Sequence, residues 1–398
     1  MDAYRNPYTP GAGSRPAALA GRDAEIEQFR VILGRLSRGA TEQGLVLHGL
    51  RGVGKTVLLN KLEEVAIEAG WATAFSEVQR GDEFRAVVAR AIHNVIRQLE
   101  ARRTAVRALA RLKSALRSFS ATLTSDGEVK LGVEVSPTGS VGGSGHFETD
   151  LVEMFLELGR AATEVDTGVA VLLDELQLAD REDLEALVAA IHRSNQKALP
   201  ITVVAAGLPT LPQALAEAKT YAERLFSSPS LGALSAPAAR DALILPARAL
   251  GVEYTGNALE LILDKAKGYP YFIQEWGRGV WNVAVTSQID IEDVAEAVPL
   301  VQRKLAQNFF SARLSRTTPT ERRYCAAMAS LGEGPYESAA VATALGYANV
   351  RAASTLRASL IEKGMIFSAG RGTLEFTVPR FAAFLRESED GNAPLPAN

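Results

Sequence analysis

"LVLHGLRGVGKTVLLNKL" occupies residues 45–62. An apolar run leads into a turn with three glycines, and the turn opens into a helical pattern of leucines. Gly49, Gly54, Lys55 and Thr56 complete the spacing G-x-x-x-x-G-K-[ST], placed between a strand and a helix as that motif requires. Small residues let successive backbone N–H groups wrap a phosphate, and the helix N-terminus adds the positive end of its dipole. Lysine then reaches the β- and γ-phosphates, and the threonine hydroxyl ligates Mg²⁺. The reading is a cradle formed by Gly49, Arg51, Gly52, Val53, Gly54, Lys55, Thr56 and Val57 around the phosphates of ATP. The plainer alternative is a glycine-rich helix start with no ligand.

Such a cradle needs a second acid to hold the metal through its waters, expected on a neighbouring strand. "VAVLLDELQ" (169–177) supplies an apolar run ending in Asp174, for the Mg²⁺ shell, and Glu175, placed to polarise an attacking water. The alternative is two polar residues that only end a strand.

Around these motifs the chain alternates. "GRDAEIEQFRVILGRL" reads as a helix with Asp23 as N-cap and Ile26, Phe29, Ile32, Leu33 and Leu36 on its apolar face. Strands are predicted at 71–78, 168–175 and 200–207, and helices at 55–69, 82–118, 148–164 and 181–193. That rhythm predicts an α/β fold on a parallel sheet. Residues 101–147 read as an insertion: a basic helix over 101–118 with six basic residues and no acid, then a β-ribbon at "EVKLGVEV". From about 236 the strands stop, and 236–312 reads as a helical lid broken at Gly251, Gly256 and "GYP" (268–270). Three short helices and a hairpin turning at Gly370 and Gly372 follow, the order of a winged helix. The expected domains are an arm over 1–20, a P-loop domain over 21–235, a lid over 236–312, a winged helix over 313–388 and a tail over 389–398.

Composition narrows the class. The 398 residues are 47% hydrophobic and 22% charged, which suits two or three globular domains. A net charge of −3 gives no overall pull toward nucleic acid or an acidic membrane, so such a partner needs a local patch. One cysteine, Cys325, excludes an internal disulfide, and four scattered histidines lack metal-ligand spacing. No stretch reaches the roughly 18 apolar residues of a membrane span, and the first residues lack a signal-peptide core. A cytoplasmic protein with no membrane partner is expected.

With these motifs in this order, residues 20–388 resemble the AAA+ and STAND P-loop ATPases, particularly the origin-recognition-complex-like, archaeal-type members that end in a winged helix. The resemblance implies nucleotide between the α/β domain and the lid. "LAGRDAEIEQF" (19–29) is similar to the family segment beside the adenine, which gives Gly21 and Arg22 that role. "YAERLFSSPSLGAL" (221–234) falls where the family carries an arginine for a neighbouring subunit's γ-phosphate, which implies a homo-oligomer working through Arg224. An intramolecular ion pair is the alternative for that side chain. Two departures stand out. The strand after the acids ends in Ala205, Ala206 and Gly207, with Thr210 only beyond the turn, where the family has a polar sensor. In "GYPYFIQEWGR" the lid carries Tyr269 and Pro270 at the nucleotide side instead of an arginine, resembling the G-x-P element of STAND proteins, and Arg278 lies far along. Both imply slow or partner-dependent turnover.

Residues 313–388 hold ten basic against six acidic residues, a local excess in an acidic chain. Val350, Leu356, Leu360 and Ile361 are expected inward on the third helix, leaving Arg351, Thr355, Arg357 and Lys363, with Arg371 at the wing, for DNA. Arg103, Arg107 and Arg111 share a face that would track a DNA backbone or pair with acids elsewhere. The sequence thus points to an ATP/ADP switch associated with DNA, as in replication, plasmid or mobile-element maintenance. Its rivals are a signalling or defence switch with a structural winged helix, and a nucleotide-binding scaffold with little hydrolysis.

Overall fold

Strand pairing places the glycine turn at the C-terminal end of a central strand. The computed structural model describes residues 1–11, 13–101, 106–121 and 146–389. Two compact units emerge: Arg22–Gly49 with Lys55–Leu231, and Met1–Gly21 with Leu50–Gly54 and Gly232–Asn398.

The first unit is an α/β layer structure. Helix α1 (Asp23–Leu36) precedes β1 (Gly44–His48), α2 (Lys55–Glu68), β2 (Ala72–Glu77), α3 (Phe84–Glu100), α4 (Val106–Ala121), α5 (Phe147–Glu164), β3 (Val169–Asp174), α6 (Arg181–Gln196), β4 (Ile201–Gly207), α7 (Leu211–Ala218) and β5 (Phe226–Ser227). The five strands form one parallel sheet in the order β2-β3-β4-β1-β5. Consecutive residues Leu45, Val46 and Leu47 are all fully buried, so both faces of β1 are covered, as a parallel sheet demands.

Several expectations are corrected here. The strand bearing the acids is not a neighbour of β1, because β4 lies between them. Arg22, not Asp23, occupies the N-cap of α1, and no side chain caps it. The helical stretch expected over 82–118 is two helices, α3 and α4. Helix α4 belongs to the core, with Leu112 and Phe119 fully buried. Arg85 of α3 secures it, lying over the Phe119 ring at 4.8 Å and the Phe147 ring at 4.9 Å and pairing with the buried Asp150 at 3.1 Å. The β-ribbon expected after it, and Arg103, lie outside the described residues.

The second unit continues with α8 (Ala236–Arg248), β6 (Glu253–Tyr254), α9 (Gly256–Ala266), α10 (Pro270–Val283), β7 (Gln288–Ile289) and α11 (Ile291–Lys304), then a π-helical stretch Leu305–Ser311 leading to α12 (Ala312–Leu314). Strands do not stop at 236: β6 and β7 form a two-residue parallel pair. Helix α13 (Pro319–Ser330), β8 (Tyr336–Glu337), α14 (Ser338–Ala344), α15 (Ser354–Glu362), β9 (Ile366–Gly370), β10 (Thr373–Phe376) and α16 (Phe381–Glu389) complete the chain. Helix, strand, helix, helix and hairpin, with the antiparallel sheet β8-β10-β9, is the winged form of a helix-turn-helix.

An aromatic series runs through this unit. Tyr271 of α10 stacks on Phe309 at 4.6 Å, Phe309 meets Phe310 at 5.3 Å, and Phe310 stacks on Phe384 of α16 at 4.6 Å. Rings of that size supply large apolar area with preferred offset and edge geometries, which ties lid helix and winged helix into one body. The first residues of the chain join it. Tyr8 is buried, its hydroxyl donates to the Leu243 carbonyl at 2.5 Å, and its ring fills the space where a side chain at Gly277 of α10 would stand. Asn6 Nδ2 donates to the Arg278 carbonyl at 3.1 Å, and the Thr9 amide to Gln274 Oε1 at 3.0 Å. The expected irregular arm is thus a strap along α10. Among the described residues no helix is long and apolar enough to cross a membrane.

Candidate nucleotide site

Helix α2 begins at Lys55, so the two chemistry-bearing residues of the motif are its first two positions, where unsatisfied N–H groups gather. Lys55 is buried, and its Nζ donates to the Gly49 carbonyl at 2.9 Å. Thr56 Oγ1 donates to Asp174 Oδ2 at 2.5 Å, and the Glu175 amide donates to Asp174 Oδ1 at 2.8 Å. Asp174 ends a strand whose every residue is buried. Burial pushes its carboxyl above the ordinary aspartate range, the Thr56 hydroxyl and Glu175 amide pull against that, the charge of Glu175 adds to the rise, and Lys55 opposes it. Gly49, Lys55, Thr56, Asp174 and Glu175 are therefore gathered in one unit, at the C-terminal ends of β1 and β3, with Val57 half-buried one residue further along α2.

The rest of the turn, Leu50–Gly54, belongs to the other unit. The Arg51 amide donates to the Thr377 carbonyl at 2.9 Å, and the Gly52 carbonyl accepts from the Tyr271 amide at 3.3 Å. Gly52 and Gly54 have φ of 82° and 90°, and a Cβ on Gly52 would meet Phe309 and Tyr271 at 3.3 Å, so both positions need glycine. Val53 is buried. Gly21 also sits in this unit, close against Ala238, while the buried Arg22 belongs to the first. Tyr269 is the N-cap residue of α10 and Pro270 its first residue. Arg278 is engaged with the buried Glu275 at 3.0 Å.

Arg224 ends a short 3₁₀ turn, Ala222–Arg224, and its side chain is exposed. Its carbonyl accepts from Gln43 Nε2 at 3.1 Å, and among the described residues the guanidinium forms no ion pair. His48, beside the turn, bonds the Ser228 carbonyl at 3.2 Å, and burial lowers its pKa.

The DNA candidates share the winged helix but not one condition. The third helix is a 3₁₀ segment, Val350–Ala353, followed by α15; Ala353 and Leu360 are buried, while Ile361, expected inward, is 39% exposed. Arg351, Thr355 and Arg371 are exposed and Arg357 is half-buried. Lys363 is committed elsewhere: its Nζ meets both oxygens of Glu321, at 2.8 and 2.7 Å. On the basic helix α4, Arg111 pairs with Glu164 at 2.8 Å and Glu157 at 3.5 Å, and Lys113 pairs with Glu100. One residue escaped the reading of the sequence. Gln177, two residues past Glu175, bonds that carboxylate, and its position in "DELQ" was the only signal available.

A glycine turn between β1 and α2, with the motif's threonine bonded to a strand-end acid, is the arrangement of a P-loop nucleotide-binding domain. Residues 18–204 match the family of the AAA ATPase domain, and this part of the chain is an AAA+ P-loop ATPase domain. Residues 307–385 match a domain of unknown function, DUF8462. No curated protein matches the chain. Among solved structures, a Walker-type ATPase of Pyrococcus abyssi is 16% identical with a TM-score of 0.58, over 94% of this chain and 97% of that one. The Aeropyrum pernix ORC1 protein, solved in complex with DNA, is 19% identical with a TM-score of 0.44, over 94% of each chain. The Thermotoga maritima RuvB Holliday junction branch migration motor is 15% identical with a TM-score of 0.47, over 97% of this chain and 100% of that one. At these identities the first likeness speaks to the fold alone.

Proposed function

We propose that the chain binds ATP with Mg²⁺, hydrolyses it, and uses the nucleotide state as a switch for an association with DNA. The observation that carries the reading is the Thr56–Asp174 hydrogen bond: a P-loop hydroxyl and a buried strand-end carboxylate meet beside the start of α2. Hydroxyl and carboxylate oxygens fit Mg²⁺, which favours oxygen ligands and keeps several waters. Among the described residues no group of three or more His, Cys, Asp or Glu would hold a metal alone, and at Thr56 and Asp174 phosphate oxygens and water would have to complete the shell. Bound there, Mg²⁺ supplies charge neutralisation on the phosphates. Lys55 meets the β- and γ-phosphates, Thr56 and Asp174 hold the metal, and Glu175 takes the proton of the attacking water. Gly21, Arg22, Tyr269 and Pro270 are assigned to the nucleotide's remaining contacts, and Arg224 to a neighbouring copy's γ-phosphate.

The DNA part rests on Arg351, Thr355, Arg357 and Arg371. A second reading, a signalling switch whose winged helix packs against protein, is favoured by the engagement of Lys363 with Glu321 and of Arg111 with acids on α5. The test is nucleotide titration and phosphate release on full-length protein, with and without DNA. Lys55→Ala should weaken ATP binding by at least roughly a hundredfold, and Glu175→Gln should keep binding while slowing hydrolysis by about 10² or more. Unchanged affinity in Lys55→Ala would sink the phosphate-cradle reading.

A further inference from the structure

Glu175 occupies an unusual place. Its φ of 52° is left-handed, where β3 turns into the 3₁₀ segment Leu176–Leu178. A non-glycine residue persists there when its neighbours fix it. Gln177 is one of those neighbours. Its Nε2 donates to Glu175 Oε2 at 2.5 Å, and its Oε1 accepts from the Leu208 amide, just past β4, at 3.0 Å. Only this orientation of the amide satisfies both partners, since a carboxylate accepts and an N–H donates.

Gly207, the last residue of β4, makes room for this bridge. A Cβ there would lie 2.5 Å from Gln177 Oε1 and 2.7 Å from Leu211 Cδ2, so any side chain expels the amide. The strand therefore ends in a residue that cannot itself reach a phosphate, and the polar group at this point comes from across the sheet.

We propose that Gln177 is the positioning residue for Glu175, doing from the turn after the acid-bearing strand what no side chain at the end of β4 does. The inference rests on the hydrolysis reading above. In that reaction water oxygen bonds to the γ-phosphorus, the bond to the bridging oxygen of ADP breaks, and the water proton passes to the Glu175 carboxylate. A fixed amide donor aims that carboxylate. The same amide links it to the turn after β4, so a shift of that turn moves the base.

The experiment measures ATP turnover, with Mg²⁺, for full-length wild type, Gln177→Leu and Gly207→Ala, alongside titration with a fluorescent ATP analogue and melting temperatures of the three proteins. Gln177→Leu should lower kcat roughly tenfold or more while leaving nucleotide affinity within about twofold. Gly207→Ala, which displaces the amide from the other side, should reproduce that loss of kcat at nearly unchanged affinity, and Gln177→Leu should add no further loss to Glu175→Gln. A purely structural role would instead lower melting temperature and affinity together with kcat, and would overturn the inference. So would an active wild type whose Gln177→Leu and Gly207→Ala forms keep its kcat, with the hydrolysis reading left standing. A wild type without turnover at any protein concentration, with or without DNA, overturns that reading and this inference together.

Discussion

Asp174 and Glu321 are buried equally, each 3% exposed, and their carboxyls are displaced in opposite directions. At Asp174 burial dominates, the adjacent Glu175 charge reinforces it, and the Thr56 hydroxyl and Glu175 amide only partly offset the rise. At Glu321 burial pushes the same way, but Lys363, Ser359 and Thr318 outweigh it and bring the carboxyl down to about 2. Ser359 Oγ donates at 2.6 Å and the Thr318 amide at 2.6 Å, the latter as half of the capping box that starts α13. The difference separates two uses of a buried charge. Glu321 carries its own cation and pins α13 to the end of α15; Asp174 lies where a charge is costly, a cost that a bound cation would relieve.

Neutral isosteres should split the pair most widely. Glu321→Gln leaves Lys363 facing an amide and should destabilise the second unit by roughly 2–4 kcal/mol. Asp174→Asn removes an unfavourable charge and should leave the free protein as stable, or up to about 1 kcal/mol more stable, while abolishing Mg²⁺-dependent turnover. Urea denaturation followed by tryptophan fluorescence reports on both units, because Trp71 lies in the first and Trp276 and Trp281 in the second. Equal losses in the two variants would erase the distinction.

Acid should reveal the same contrast more gently. The folded-state pKa of Glu321 is depressed, so its contribution is complete above the ordinary glutamate value of about 4.3 and is lost as pH falls toward about 2. Denaturation midpoints of the second unit should fall across that window by an amount on the order of 2–3 kcal/mol, and Glu321→Gln should flatten the dependence. A variant as acid-sensitive as wild type would assign the loss to other carboxylates.

The smallest expected effect concerns the exposed arginines. Replacing Arg351, Arg357 and Arg371 together should weaken DNA binding and reduce the slope of log K against log salt by up to about 0.9 for each phosphate no longer neutralised, with little change in stability. Lys363→Ala should do the reverse, costing stability through Glu321. If the triple variant binds DNA as wild type does, with the same salt slope, the winged helix is not the DNA-binding surface.

The sequence was most legible where one segment determines its own state. The turn at 49–56 and the apolar run ending at Asp174 announce strands, helix start and donor atoms together, because glycines and an uninterrupted buried run leave few alternatives. What it hid depends on segments far apart. Nothing in the runs at 169–174 and 201–207 says that β4 enters between β1 and β3, and the role of Gln177 follows only from that order. Pairs as short as Glu253–Tyr254 with Gln288–Ile289 carry no usable periodicity. The apolar spacing of the third winged-helix segment suggests one continuous helix, yet its 3₁₀ start rotates the later residues and brings Ile361 to the surface.

The strap formed by the first residues gives this molecule a schedule as well as a shape. Tyr8 waits for Leu243, 235 residues further along, before its hydroxyl has a partner. At roughly 5–20 residues per second on the ribosome, that interval is about ten to fifty seconds. Meanwhile residues 22–231 emerge in full, so the α/β unit has its sequence available first. The other unit is stitched from residues on both sides of the α/β unit, and it can close only after the later of them have emerged.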